Sequence, residues 1–158
     1  MSVLKRFKNN FRQFSDLALF VRIVGLSSFM RLALRVFNPL TIIKWLDRGR
    51  TSNNQLPIQK AAKFTDFVIR PGTPSRCLKR SLVMFRLARR AGLPVTINFG
   101  LDKQIAPATE LRGHSWISIG DRQVVEPNDT HEKFKITYSY KSKLGSHQDS
   151  SRMPHRLS

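Results

Sequence analysis

The chain changes its hydrophobic period once, at Gly92-Leu93-Pro94. Before that point apolar residues recur at helical spacing. Leu78, Leu82, Phe85 and Ala88 form one stripe, and Lys79, Arg86, Arg89 and Arg90 lie largely off it, so a helix with one apolar and one solvated face is expected over Thr73–Gly92. After it the period is two. Val95–Leu101 is β-branched and alternating, Gly113–Ile119 alternates again, Gly120-Asp121 reads as a turn, and Arg122–Glu126 and Phe134–Tyr140 follow as further strands. Helices gathered first and strands after them describe an α+β chain.

The helix before the switch is bounded clearly. Thr73 or Ser75 can act as N-cap, Pro74 suits a position just inside a helix start, and Gly92 and Pro94 end it. Its first turn holds Cys77, the only cysteine in the chain. Cys77 shares a helix side with Ser81, Met84 and Ala88, so it points to a core or a cleft and not into bulk water. Orphan N–H groups, the positive end of the helix dipole, Arg76 and Lys79 or Arg80 all favour a thiolate there. The same position also suits a small buried hydrophobe, since free cysteine is among the most buried residue types.

The earlier part of the chain reads as helical. Residues 2–37 are rich in aliphatics and helix formers, and Gly25–Ser28 divides them into one broken helix or two shorter ones before Asn38-Pro39 stops the pattern. A short helix follows Pro39 through Ile42, Ile43, Trp45 and Leu46. Asp47–Leu56 is polar and reads as a linker, and Pro57–Arg70 places Ile58, Ala61, Ala62, Phe64 or Thr65, and Val68 on another helical stripe. Asp102–Glu110 reads as a loop. The chain thus divides into a basic helical region and linker (residues 1–56), a core (residues 57–140) and a polar tail expected to be disordered (residues 141–158). The basic amphipathic region either covers the core or docks on a partner protein or a membrane surface.

Composition narrows the setting. A length of 158 residues suits one domain with a real core. One cysteine excludes an internal disulfide framework and CxxC-type zinc sites. The basic start MSVLKRFKNNFRQF lacks the apolar core of a signal peptide, and no uncharged apolar run is long enough to span a bilayer; a cytoplasmic protein without a spanning helix is expected. The net charge is +18, spread as +8 over residues 1–50, +7 over residues 51–140 and +3 beyond. Such a field favours anionic partners, but no stacking platform or base-reading element accompanies it, so specific nucleic-acid binding is not expected.

Cysteine at a helix N-terminus, then histidine on a strand, then an acid on a strand is the order in which papain-type and transglutaminase-type enzymes place nucleophile, base and orienter. Imidazole takes the thiol proton, and a carboxylate fixes its tautomer. Of the four histidines, His131 lies in a polar loop and His147 and His155 in the tail, so only His114 sits within an apolar strand. The segments RCLKRSLVMFRLARRAGLPVTINFG and GHSWISIGDRQVVEPND resemble the leader peptidases of lasso-peptide biosynthesis, a branch of the transglutaminase-like cysteine-protease superfamily. The shared pattern is an Arg-Cys-Leu-x-Arg-[Ser/Ala]-Leu helix, a Gly-[Leu/Ile]-Pro exit into a strand, a His-[Ala/Ser]-Trp strand and a later acid. It covers about Ser75–Asp129.

The resemblance implies a papain/transglutaminase-like core, with a nucleophile helix on a small antiparallel sheet. It makes Cys77 the nucleophile, His114 the general base and Glu126 the orienting acid, where the family more often has Asp. Asp129 is the alternative acid. It implies no cofactor, a precursor peptide as substrate, a separate leader-recognition protein and an ATP-dependent cyclase as partners; peripheral membrane contact is compatible with it. Two other readings stay open: acyl transfer or amide hydrolysis on another substrate, and a non-catalytic basic module that binds nucleic acid or acidic membrane. The hairpin supplies an independent condition. A two-residue loop at Gly120-Asp121 pairs Ile119 with Arg122 and leaves Glu126 on the face opposite His114, whereas a three-residue loop or a bulge brings Glu126 to His114.

Overall fold

The structure, a computed structural model, describes residues 14–49, 51, 56–73, 75–102, 113–120, 122–124 and 133–145. In chain order the elements are helices α1 (Phe14–Val36), α2 (Pro39–Leu46), α3 (Ile58–Val68) and α4 (Arg76–Arg90), then strands β1 (Val95–Asp102), β2 (Gly113–Ile119), β3 (Arg122–Val124) and β4 (Phe134–Lys141). The strands form one antiparallel sheet in the order β3-β2-β1-β4. This is the α+β arrangement expected from the single switch of period, with the cysteine helix α4 packed on the sheet.

Alternation in the strands sets what the sheet gives to each side. Val95 and Ile97 of β1, Ile117 of β2 and Val124 of β3 join the helical core, where they meet Leu82, Phe85 and Ala88 of α4 and residues of the three other helices. On the other face Asn98 is buried and held from both neighbours: its Nδ2 donates to Ser118 Oγ at 3.1 Å and its Oδ1 accepts from Ser139 Oγ at 2.7 Å. The β1–β4 register slips between Phe99 and Gly100.

Several local expectations are corrected. Helix α1 runs unbroken through Gly25–Ser28, because Ile23, Ser27 and Met30 keep one buried face across the glycine; packing outweighs the cost of about 1 kcal/mol for a helical glycine. Residues 2–13 lie outside the described residues. By length and composition α1 would also suffice to cross a membrane, which its interspersed arginines had argued against; its inner face, with Leu19, Ile23, Met30 and Ala33, belongs to the core. Asp47, read as the start of a linker, is buried and accepts from Arg89 Nε at 2.8 Å and Tyr140 OH at 3.0 Å. Arg89, read as lying off the buried stripe, is therefore largely buried. Beyond Lys141, contrary to the disordered tail expected there, Ser142 is buried and bonds Val95 through both backbone and side chain, and a 3-10 turn follows at Lys143–Gly145.

Helix α2 begins as its sequence suggests. The Asn38 side chain accepts from Leu40 N at 2.9 Å and Pro39 occupies the first turn. Its C-terminal carbonyls are capped from α4. Arg86 donates through one guanidinium nitrogen to Leu46 O at 2.7 Å and Arg48 O at 2.6 Å.

Candidate active site

Helix α4 delivers Cys77 through a tight approach. Thr73 N and Thr73 Oγ1 both donate to Arg70 O, and Arg76 N donates to Thr73 O at 3.1 Å. Ser75 then occupies the N-cap position in the left-handed region, with φ of 55°, and makes no side-chain cap bond. The expected hydroxyl cap is thus absent, since that backbone conformation does not aim the side chain at the first turn. Cys77 falls on the second helical residue, where a backbone N–H has no intrahelical acceptor. Dipole and N–H group both face an incoming negative charge.

The nearby arginines do something other than the charge pattern suggests. Arg76 reaches Asp66 of α3 at 3.2 Å and Ile69 O at 3.1 Å, and Arg80 Nε reaches the same carboxylate at 2.7 Å. They tie α4 to α3. The thiol answers to the sheet instead: a hydrogen bond with the His114 imidazole pulls the Cys77 pKa below its ordinary value. Burial opposes this and is outweighed, with help from the Ser115 backbone, the His114 charge and the Ser115 hydroxyl. The structure therefore brings two of the three residues singled out in the sequence, Cys77 and His114, into direct contact.

His114 is held by stacking. Its ring lies 4.9 Å from that of Phe134 at 26° and 5.9 Å from that of Trp116 at 19°. Gly100, opposite His114 on β1, makes room for this layer. A Cβ there would come within 3.0 Å of Trp116 Cη2 and of Lys135 O, and 3.1 Å of Phe134 Cβ.

Ser115 is the neighbour of the thiol that sequence reasoning missed. Its carbonyl accepts from Ser81 Oγ at 2.8 Å, which fastens β2 to α4 one turn past Cys77. Its own hydroxyl is buried without a hydrogen-bond partner of good geometry, yet lies near enough to favour the thiolate. A serine between histidine and tryptophan in an alternating strand carries no distinguishing pattern, so only its position reveals it.

The acid is not placed. Glu126 and Asp129 lie outside the described residues, but the hairpin leading to them is in view. Ile119 pairs with Arg122, Ser118 with Gln123 and Ile117 with Val124. This is the even, two-residue turn, with Gly120 at φ of 57°, and not the three-residue loop that the triad favoured.

No curated protein and no solved structure matches the chain. A family model, however, described as the transglutaminase-like superfamily, matches residues 26–139. That span is well over half the chain and includes the cysteine helix, the histidine strand and the rest of the sheet. With a helix-borne thiol hydrogen-bonded to a strand-borne imidazole inside that span, the chain belongs to the transglutaminase-like superfamily.

Proposed function

We propose that this protein is a cysteine peptidase that removes the leader from a ribosomally made lasso-peptide precursor. The observation that carries a catalytic reading is the hydrogen-bonded pair of Cys77 and His114 at the head of α4, with the thiol pKa lowered. The lasso-peptide assignment is supported by the Arg76-Cys77-Leu78 and His114-Ser115-Trp116 patterns in their order and spacing. On this reading the protein works in the cytoplasm alongside a separate leader-recognition protein and an ATP-dependent cyclase.

The Cys77–His114 pair supports the following chemistry. The Cys77 thiolate attacks the carbonyl carbon at the leader–core junction and forms a C–S bond, while the carbonyl oxygen takes up negative charge facing the Cys77 N–H. Collapse of that adduct breaks the C–N bond, and the imidazolium of His114 gives its proton to the departing amine of the core. His114 next takes a proton from water, the hydroxide attacks the thioester, and the leader leaves as a carboxylic acid with the thiolate restored. Glu126 orients the imidazole, with Asp129 as the alternative.

Mass spectrometry of a candidate precursor incubated with the protein and its recognition partner tests this. Wild type should cut at one leader–core junction and Cys77→Ala should not. Equal cleavage by both would remove Cys77 from the mechanism. A leader joined to an added amine, with no free carboxylic acid, would make the protein an acyltransferase instead.

A further inference from the structure

Helix α1 carries a second apolar stripe that the fold does not use. Its core face takes Leu19, Ile23, Met30 and Ala33. Leu17, Val21, Val24 and Leu32 fall on the other side, within an arc of about 80° at 100° per residue, and all are exposed, Leu32 to 65%. Val36 continues the stripe at 74% exposure, and Phe37 just beyond it meets Trp45 at a ring distance of 4.6 Å, both well exposed. From Leu17 to Val36 the stripe extends for about 28 Å. Nothing in the Cys77 chemistry accounts for it.

The charges around the stripe decide what covers it. Arg31 falls on one flank, Arg35 lies within the stripe near its C-terminal end, Arg22 lies towards the other flank, and Lys44 and Arg48 follow on or after α2, all exposed. The acids of this region are spent inward, Asp16 on Lys60 at 2.7 Å and Asp47 on Arg89 at 2.8 Å. The sequence leading into α1 adds Lys5, Arg6, Lys8 and Arg12 and no acid. A second copy of the chain would bring arginine rows against each other with no exposed carboxylate on α1 to offset them. A bilayer with anionic headgroups meets every feature: acyl chains for Leu17, Val21, Val24 and Leu32, phosphates for the arginines, and the headgroup boundary for Trp45. We infer that α1 lies in the plane of an anionic membrane surface, docking the peptidase domain there while its inner face stays in the core.

The two tryptophans provide the measurement, since Trp45 is 40% exposed at the end of the stripe and Trp116 only 1% exposed in the site. The full chain is titrated with vesicles of phosphatidylglycerol and phosphatidylcholine that carry brominated acyl chains. Blue-shifted and quenched Trp45 emission is expected, lost in Val21→Asp/Leu32→Asp and weakened at ~0.5 M salt. Arg31→Gln/Arg35→Gln, which leaves the apolar stripe intact, should weaken partitioning about fivefold per arginine. This second variant carries the test should the aspartates disturb the helix, which circular dichroism will report. Absence of any shift with anionic vesicles, equal partitioning into pure phosphatidylcholine, or binding indifferent to both variants would overturn the inference. So would a dimer that Leu32→Asp separates while vesicles have no effect, since the stripe would then belong to a second copy.

Discussion

Burial alone would raise the pKa of Cys77; the hydrogen bond with His114 outweighs it, so the thiol ionises below its usual range. Alkylation by iodoacetamide follows the thiolate fraction, which falls as pH drops through the thiol pKa. Wild type should therefore keep reacting below the ordinary thiol midpoint of about 8.5. His114→Ala should move the profile up in pH, because desolvation is then the largest influence left, and Ser115→Ala should move it up by less. A profile unmoved by His114→Ala would separate imidazole from thiol. The acid gives a second test at this scale. Glu126→Gln should lower kcat/KM by about two orders of magnitude or more, as loss of the orienter does in triads, with Asp129→Asn near wild type. The reverse result would transfer the role to Asp129. Cys77 and His114 were legible because their positions on a helix start and an apolar strand are local facts. The roles of Arg76 and Arg80 were not, because Asp66, which takes both, is brought to them only by the packing of α3 on α4.

Among the elements, the sheet positions the base through one glycine. Gly100→Ala would press a methyl group against Trp116, Phe134 and the Lys135 carbonyl, all within about 3 Å, and a backbone carbonyl in a paired strand yields little. Overpacking of this kind costs about 1–3 kcal/mol, so a lower denaturant midpoint is expected. Because Trp116 and Phe134 are the rings against which His114 stacks, kcat/KM should fall further than stability explains. The conservative partner variant Trp116→Phe should relieve part of the clash in the double mutant. Strand positions and the helical stripes could be read from period, since burial on one face imposes it. Continuity of α1 could not: a glycine inside a helical pattern reads as a break unless the core it packs on is known. The even turn at Gly120-Asp121 was one of two geometries the sequence allowed, and nothing local chose between them.

For the molecule as a whole, Asp47 links the helices before the cysteine to the last strand. Its carboxylate accepts from Arg89 of α4, from Tyr140 of β4 and from Lys143 N just beyond it. Sequence gave no hint of this, since Asp47 opens a polar stretch and its partners lie 42, 93 and 96 residues away. The Asp16–Lys60 pair offers a comparison of magnitude. There the lysine side chain is 41% exposed, so on loss of Asp16 it can turn to water, as in surface pairs worth ~1 kcal/mol or less. Arg89 has no such escape at 11% exposure, and removing its partner leaves a buried charge uncompensated, at a cost of about 3–5 kcal/mol. Asp47→Ala should therefore lower stability several-fold more than Asp16→Ala, measured by denaturant unfolding of both. The same carboxylate marks the alkaline limb. Burial, with Asp47 beside it, pushes Tyr140 up to about 12 from 10.0, so the folded state holds the phenolic proton more tightly than the unfolded one. The stability linked to it is complete below the unfolded value and is lost as pH rises from there through the folded value. With Asp47→Asn the charge that helps raise Tyr140 disappears, and its titration, followed by phenolate absorbance, should move down towards the ordinary tyrosine value; no movement would assign the whole shift to burial.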